Sequence, residues 1–119
     1  MKIWIKFIIH KYDGDDLINN TLFVVKNNRI ITIEYDGSKS IDQIFKDIQK
    51  EIGLINQNII HYRPLVFNDK NNNLCIVYIL RESQKMRLPP QYKYIKYKDI
   101  DIVCESPIDA KLLKISLNM

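Results

Sequence analysis

The 119-residue chain predicts an α+β fold, an α/β/α sandwich in which a mixed β-sheet is flanked by helices, read as a single domain over residues 1–119. Three observations lead there. Segments with two-residue and 3.6-residue apolar periods follow one another in the order β-β-β-α-β-β-β-α, which calls for a sheet with helices laid on it. Leu74–Leu80 (LCIVYIL) is apolar at every position, so this strand is covered on both faces. Two stretches, one opening at Ser40 and one at Ser106, carry helix caps and apolar stripes and supply the covers.

Residues 2–11 alternate, with Ile3, Ile5, Phe7 and Ile9 on one face and Lys2, Trp4, Lys6 and His10 largely on the other, the pattern of a half-buried strand. Asp13-Gly14-Asp15-Asp16 breaks it. Thr21–Lys26 and Arg29–Tyr35 are strands joined by Asn27-Asn28, a two-residue hairpin turn, since asparagine tolerates positive φ. Asp36-Gly37 turns the chain into a helix capped by Ser40, with Gln43 at the spacing that reaches back. Ile41, Ile44, Phe45, Ile48 and Ile52 form its apolar face, and Gly53 supplies the left-handed stop. A polar loop, Asn56–Asn58, leads to a strand Ile59–Phe67 that Pro64 marks as an edge or a bulge. Asn68–Asn73 is a turn, Gln84–Pro90 a basic loop ending in proline, and Gln91–Lys98 another strand. Ser106-Pro107 opens the last helix, with Ile108, Leu112 and Ile115 as its buried stripe.

Composition narrows the function classes. Hydrophobic residues at 46% and charged residues at 27% are ordinary for a globular domain, and three glycines and four prolines leave little for flexible linkers. A net charge of +4 permits contact with nucleic acid or other anions without demanding it. Cys75 and Cys104 are too few for a disulfide framework and lack metal-site spacing. The N-terminal stretch reads as a strand rather than a signal peptide, and no run is long enough to span a bilayer. The expectation is a cytoplasmic, intracellular protein with no membrane partner. His10 and His61 stand alone in strands as structural residues. No Ser-His-Asp arrangement, P-loop, dinucleotide-binding glycine pattern or zinc spacing is present.

The stretch Thr32–Leu54 (TIEYDGSKSIDQIFKDIQKEIGL) resembles the signature of Nudix domains, G-x5-E-x7-R-E-U-x-E-E-x-G-U, with U a bulky aliphatic residue. Ile48, Glu51, Gly53 and Leu54 match, and Lys46 and Asp47 stand conservatively for Arg-Glu. Thr32 replaces the opening glycine, Ser38 the first glutamate, and Lys50 the first glutamate of the closing pair. The flanking order of strands is similar to that family too, and YIKYKDIDI resembles its E-x-x-W-x-x-x-x-E-L segment, with Tyr97 or Tyr94 near the usual tryptophan. The resemblance implies a Nudix-like sheet. It also implies that Tyr62, Arg63, Phe67, Tyr78 and Arg81 lie on strands lining a nucleotide cleft, although core packing explains Phe67 and Tyr78 as well.

In that family, glutamates on one helix face hold divalent metal for hydrolysis of nucleoside diphosphate-linked substrates. Metal of this kind neutralises phosphate and activates water, and magnesium asks for hard oxygen ligands. Here only Asp47 and Glu51 keep the four-residue spacing that sets carboxylates side by side, so any metal is held weakly by these two. Lys50 works against it: two unit charges ~4 Å apart interact by ~4 kcal/mol at an effective dielectric of about 20. Lys46, Asp47, Lys50 and Glu51 also read as a plain solvated helix face. A second candidate is Lys85–Lys98 (KMRLPPQYKYIKYK), where Lys85, Arg87, Lys93, Lys96 and Lys98 can meet phosphates and Tyr92, Tyr94 and Tyr97 can stack on bases, with Arg63 nearby by resemblance. Lysine and tyrosine are equally ordinary on an edge strand.

The resulting expectation is a catalytically degenerate Nudix-fold binding module, with no cofactor, engaging nucleotide, RNA or a protein partner within a ribonucleoprotein. One alternative is a divergent magnesium-dependent hydrolase using Asp47 and Glu51, helped by Glu34 or Asp36. Another is a purely structural protein-interaction subunit.

Overall fold

The computed structural model describes residues 1–12, 20–54, 64–82 and 86–118. Strands β1 (Ile3–Tyr12), β2 (Thr21–Lys26) and β3 (Ile31–Glu34) precede helix α1 (Ile41–Glu51). Strands β4 (Leu65–Asn68), β5 (Leu74–Glu82) and β6 (Tyr92–Lys96) follow, then a 3-10 turn (Tyr97–Asp99), a short helix α2 (Ile100–Val103) and α3 (Pro107–Ser116). The expected break at residues 13–16, the loop 56–58, residues 59–63 of the expected strand and the start of the basic loop lie outside the described residues, and so do His61, Tyr62, Arg63 and Lys85.

The sheet is mixed and runs β4-β5-β1-β2-β6. β1 is its axis. It pairs in parallel with β5 from Ile3 to Lys11, while its other edge is divided between β3, opposite Trp4–Phe7, and β2, opposite His10–Tyr12. β4 follows Pro64 directly and, among the described residues, pairs only with β5, the edge position that a preceding proline suits. Asn27 and Asn28 turn the β2–β3 hairpin at φ of 51° and 62°, and the amide of Lys26 donates to the Arg29 carbonyl at 2.8 Å.

Each face of the sheet has its own core. On one side Ile5, Phe7, Ile9, Val24 and Ile31 meet Ile44, Phe45, Ile48 and Ile52 of α1. Phe45 sits edge-on to Phe7 at 4.6 Å and to Tyr78 at 5.2 Å between ring centroids, and burial of one such ring contributes ~1.5–3 kcal/mol. On the other side Ile8, Phe23, Val25, Val77, Ile79 and Ile95 meet Ile100, Leu112 and Leu113. β1 is therefore buried on both faces rather than half-buried, because α3 covers the side that carries Lys6, Ile8 and His10.

Two further expectations are corrected. The buried stripe of α3 is Asp109, Leu112, Leu113 and Ser116, and Ile108 and Ile115 are 46% and 39% exposed. The helix is rotated by its polar anchors: Asp109 reaches Lys6, and Ser116 reaches His10. Strand β6 ends at Lys96, where the chain coils into the 3-10 turn and α2, so Lys98 does not continue the strand. Among the described residues no helix is long and apolar enough to cross a membrane.

Candidate functional site

Helix α1 begins as its sequence dictates. The hydroxyl of Ser40 accepts from the amide of Gln43 at 3.1 Å. Gln43 does not reach back to the cap; its Nε2 donates to Oδ1 of Asp47 at 2.9 Å. The ammonium of Lys39 holds the other oxygen, Oδ2, at 2.8 Å. These bonds from Lys39 and Gln43, together with the charges of Lys39 and Lys50, hold the Asp47 carboxyl below the usual range. Glu51, one turn on, faces the ammonium of Lys26 at 3.7 Å. Lys26 also lies over the ring of Tyr92, 5.2 Å from its centroid. Burial and the neighbouring Glu51 carboxylate push the Tyr92 phenol well above its ordinary value.

Glu34 and Asp36 do not join this pair. Glu34 stands opposite Trp4, and its residue parity places it on the α3 side of the sheet. The Asp36 carboxylate accepts the amide of Ser38 at 2.8 Å inside its own turn. Among the described residues no three or more His, Cys, Asp or Glu side chains come together as a metal-binding group. The helix then stops at Gly53, with φ of 80°. A Cβ there would lie 2.9 Å from Cβ of Arg87, so the glycine serves both the left-handed turn and the close approach of the next segment.

The basic stretch is split by the fold. Tyr92 and Tyr94 pack into the α1-side core, so their rings are not laid out as a stacking platform. Arg87, Lys93, Lys96 and Lys98 are exposed, and Lys93 shares the opposite face of β6 with Ile95.

A cavity that the sequence did not reveal lies on the opposite face. Register sets Glu34, Trp4, Cys75 and Phe67 in one cross-strand row, with Thr32, Lys6, Val77 and Leu65 in the next. Trp4 and Phe67 thus flank the small Cys75, whose thiol is pushed up by burial. The N-terminal end of α3 overhangs this floor and encloses about 610 Å³. The overhang is tied down by Asp109, whose Oδ1 accepts from Lys6 at 2.9 Å and whose Oδ2 accepts from the buried amide of Ile30 at 3.1 Å. Arg29 stands at the rim and makes no ion pair among the described residues. A second hollow of about 670 Å³ continues past Asn71 and Lys70 to Lys111. Trp4 as the sole tryptophan, on the polar-reading face of β1, was the one available sequence signal.

No protein-family model and no curated protein sequence matches the chain. Solved structures do resemble it. The C-terminal domain of mouse MUTYH, in complex with human PCNA, superposes with a TM-score of 0.74 at 11% identity, over 99% of this chain and 88% of that one. A mutT/nudix family protein from Listeria innocua gives 0.71 at 8% identity, over 98% and 92%. The NUDIX domain of NrtR from Shewanella oneidensis, complexed with ADP ribose, gives 0.64 at 11% identity, over 94% and 83%. At these identities the likeness is one of fold.

Proposed function

With a Nudix-like fold as its frame, we propose that this chain is a binding module that seats a nucleotide without hydrolysing it. The observation that carries the reading is the state of the α1 carboxylates. Both oxygens of Asp47 are taken, one by Lys39 and one by Gln43, and Glu51 faces Lys26. A divalent cation entering here must displace two of the chain's own ammonium groups and sit beside Lys50. Magnesium gives up its water reluctantly and wants near-octahedral oxygen geometry, so these residues do not fit it.

The seat is the cavity under the N-terminal end of α3. Its apolar walls with a few convergent polar groups are what small-ligand sites require. That a domain of similar fold is complexed with ADP ribose supports a nucleotide as the occupant.

The test is incubation of the full chain with Mg²⁺ or Mn²⁺ and a panel of capped, dinucleoside and sugar-nucleotide substrates. The expected result is no turnover. Metal-dependent turnover that disappears in Glu51→Gln would overturn the reading.

A further inference from the structure

Resting on that reading, we infer that the seat is the first position of a longer trough that takes single-stranded nucleic acid: one base between Trp4 and Phe67, and the following phosphates along Arg29, Lys111 and Lys70. The two hollows are continuous. They share Arg29, Phe67, Asp69, Asn71, Ser106 and Ile108, and at about 610 and 670 Å³ each is large enough for a small ligand on its own. Together they exceed what one nucleotide fills.

The slot suits a flat ring. Trp4 and Phe67 lie one strand to either side of Cys75, so they are rooted roughly 10 Å apart. A ring stacked on both sides needs about 7 Å between its neighbours, two contact distances of about 3.5 Å. The small side chain of Cys75 leaves the floor between them low. Stacking on aromatic side chains tolerates any base, because every base has a π-face.

The rim suits phosphate. Five cations and three carboxylates line the two hollows. Two of those carboxylates are already engaged: Asp109 by Lys6 and the Ile30 amide, and Asp69 by the amides of Asn71 and Asn73. Only Asp109 is matched by a cation; Asp69 stays ionised, so Asp69 and Glu105 stand against Arg29, Lys70 and Lys111, a margin of one positive charge, and none of these three cations makes an ion pair among the described residues. All three line the second hollow, and Arg29 lines the first as well. The lysines of the β6 edge, by contrast, lie beside rings that are buried in the core.

Trp4 is the only tryptophan, so its fluorescence reports the slot directly. The experiment titrates the full chain with AMP, with single-stranded RNA and DNA decamers of mixed sequence, and with an acidic decapeptide, reading Trp4 quenching and decamer anisotropy at 50 to 200 mM salt. The decamers are expected to quench Trp4 and bind more tightly than AMP. Three phosphates neutralised give a log–log salt slope near −2, about a twentyfold loss of affinity over that range. Arg29→Gln/Lys70→Gln/Lys111→Gln, all at exposed positions, should remove most of the slope. Lys93→Gln/Lys96→Gln/Lys98→Gln should leave it in place. Quenching by AMP with no gain from the decamers overturns the strand proposal and leaves the binding-module reading standing. Preference for the acidic peptide, decamer binding without quenching, or loss of binding only in the β6-edge triple variant overturns the proposal as well.

Discussion

Removing the carboxylate of Asp109 tests how the cavity is held open. This side chain is 2% exposed and accepts from Lys6, which is 12% exposed, and from the amide of Ile30, itself buried. Asp109→Ala therefore leaves the buried Ile30 amide without its acceptor and the Lys6 ammonium with only the Thr32 hydroxyl, at 3.2 Å, and the cavity beside it. Breaking one side of such a pair destabilises by ~3–5 kcal/mol, which for a domain of this size lowers Tm by roughly 10–25 °C. Asp109→Asn keeps an acceptor and should lose less. The double variant Lys6→Met/Asp109→Leu removes both charges and leaves only the Ile30 amide unsatisfied, a loss of ~1–3 kcal/mol. Urea denaturation with unchanged m-values measures all four proteins. If Asp109→Ala loses less than about 1 kcal/mol, or the double variant loses more than Asp109→Ala, the pair is not the buried tie described here.

Other expectations follow from single residues. Burial, aided by the charge of Arg81, lowers the pKa of His10 to about 4. The unfolded chain therefore binds the extra proton first, and stability should fall as pH drops from about 6.5 to 4, by at most ~3 kcal/mol. His10→Gln should flatten that limb in pH-dependent urea melts; an unchanged limb would mean another group is responsible. Gly53→Ala forces a side chain into positive φ and against Arg87, and should destabilise by at least ~1–2 kcal/mol in the same assay. Phe45→Ala should lose ~3–5 kcal/mol by emptying the cluster with Phe7 and Tyr78. Lys39→Gln/Lys50→Glu should bind Mn²⁺ measurably by calorimetry where the unaltered chain does not, since it frees Asp47 and adds a carboxylate; equal behaviour of the two would show that the lysines do not govern the site.

The local elements were legible because local rules decide them. Asn27-Asn28 could only turn, Ser40 could cap, and Ile44, Phe45, Ile48 and Ile52 left α1 one face to bury. In the stretch that resembles the Nudix signature, Ile48 and Leu54 were legible as packing residues and Gly53 as a turning one, because each acts within one segment. The ion pairs were not legible. Lys39 is eight residues from Asp47, and Lys26 ends strand β2 while Glu51 ends helix α1, so nothing in their spacing announced them. Ile108 and Ile115 misled for a related reason: apolarity marked a stripe, while the contacts of Asp109 and Ser116 decided the rotation of α3.

By itself the sequence determined not the end of β6 or the short helix α2, but the order of the six strands, α1 and the last helix, and which face of α1 is buried. These follow from periods, caps and turns that act within a few residues. Only the tertiary structure decided that the last helix covers the face opposite α1, and that Trp4 and Phe67 stand on either side of Cys75 beneath it. Strand order and register come from which side chains pack together across the sheet, and one chain position carries no record of its neighbour 63 or 71 residues away.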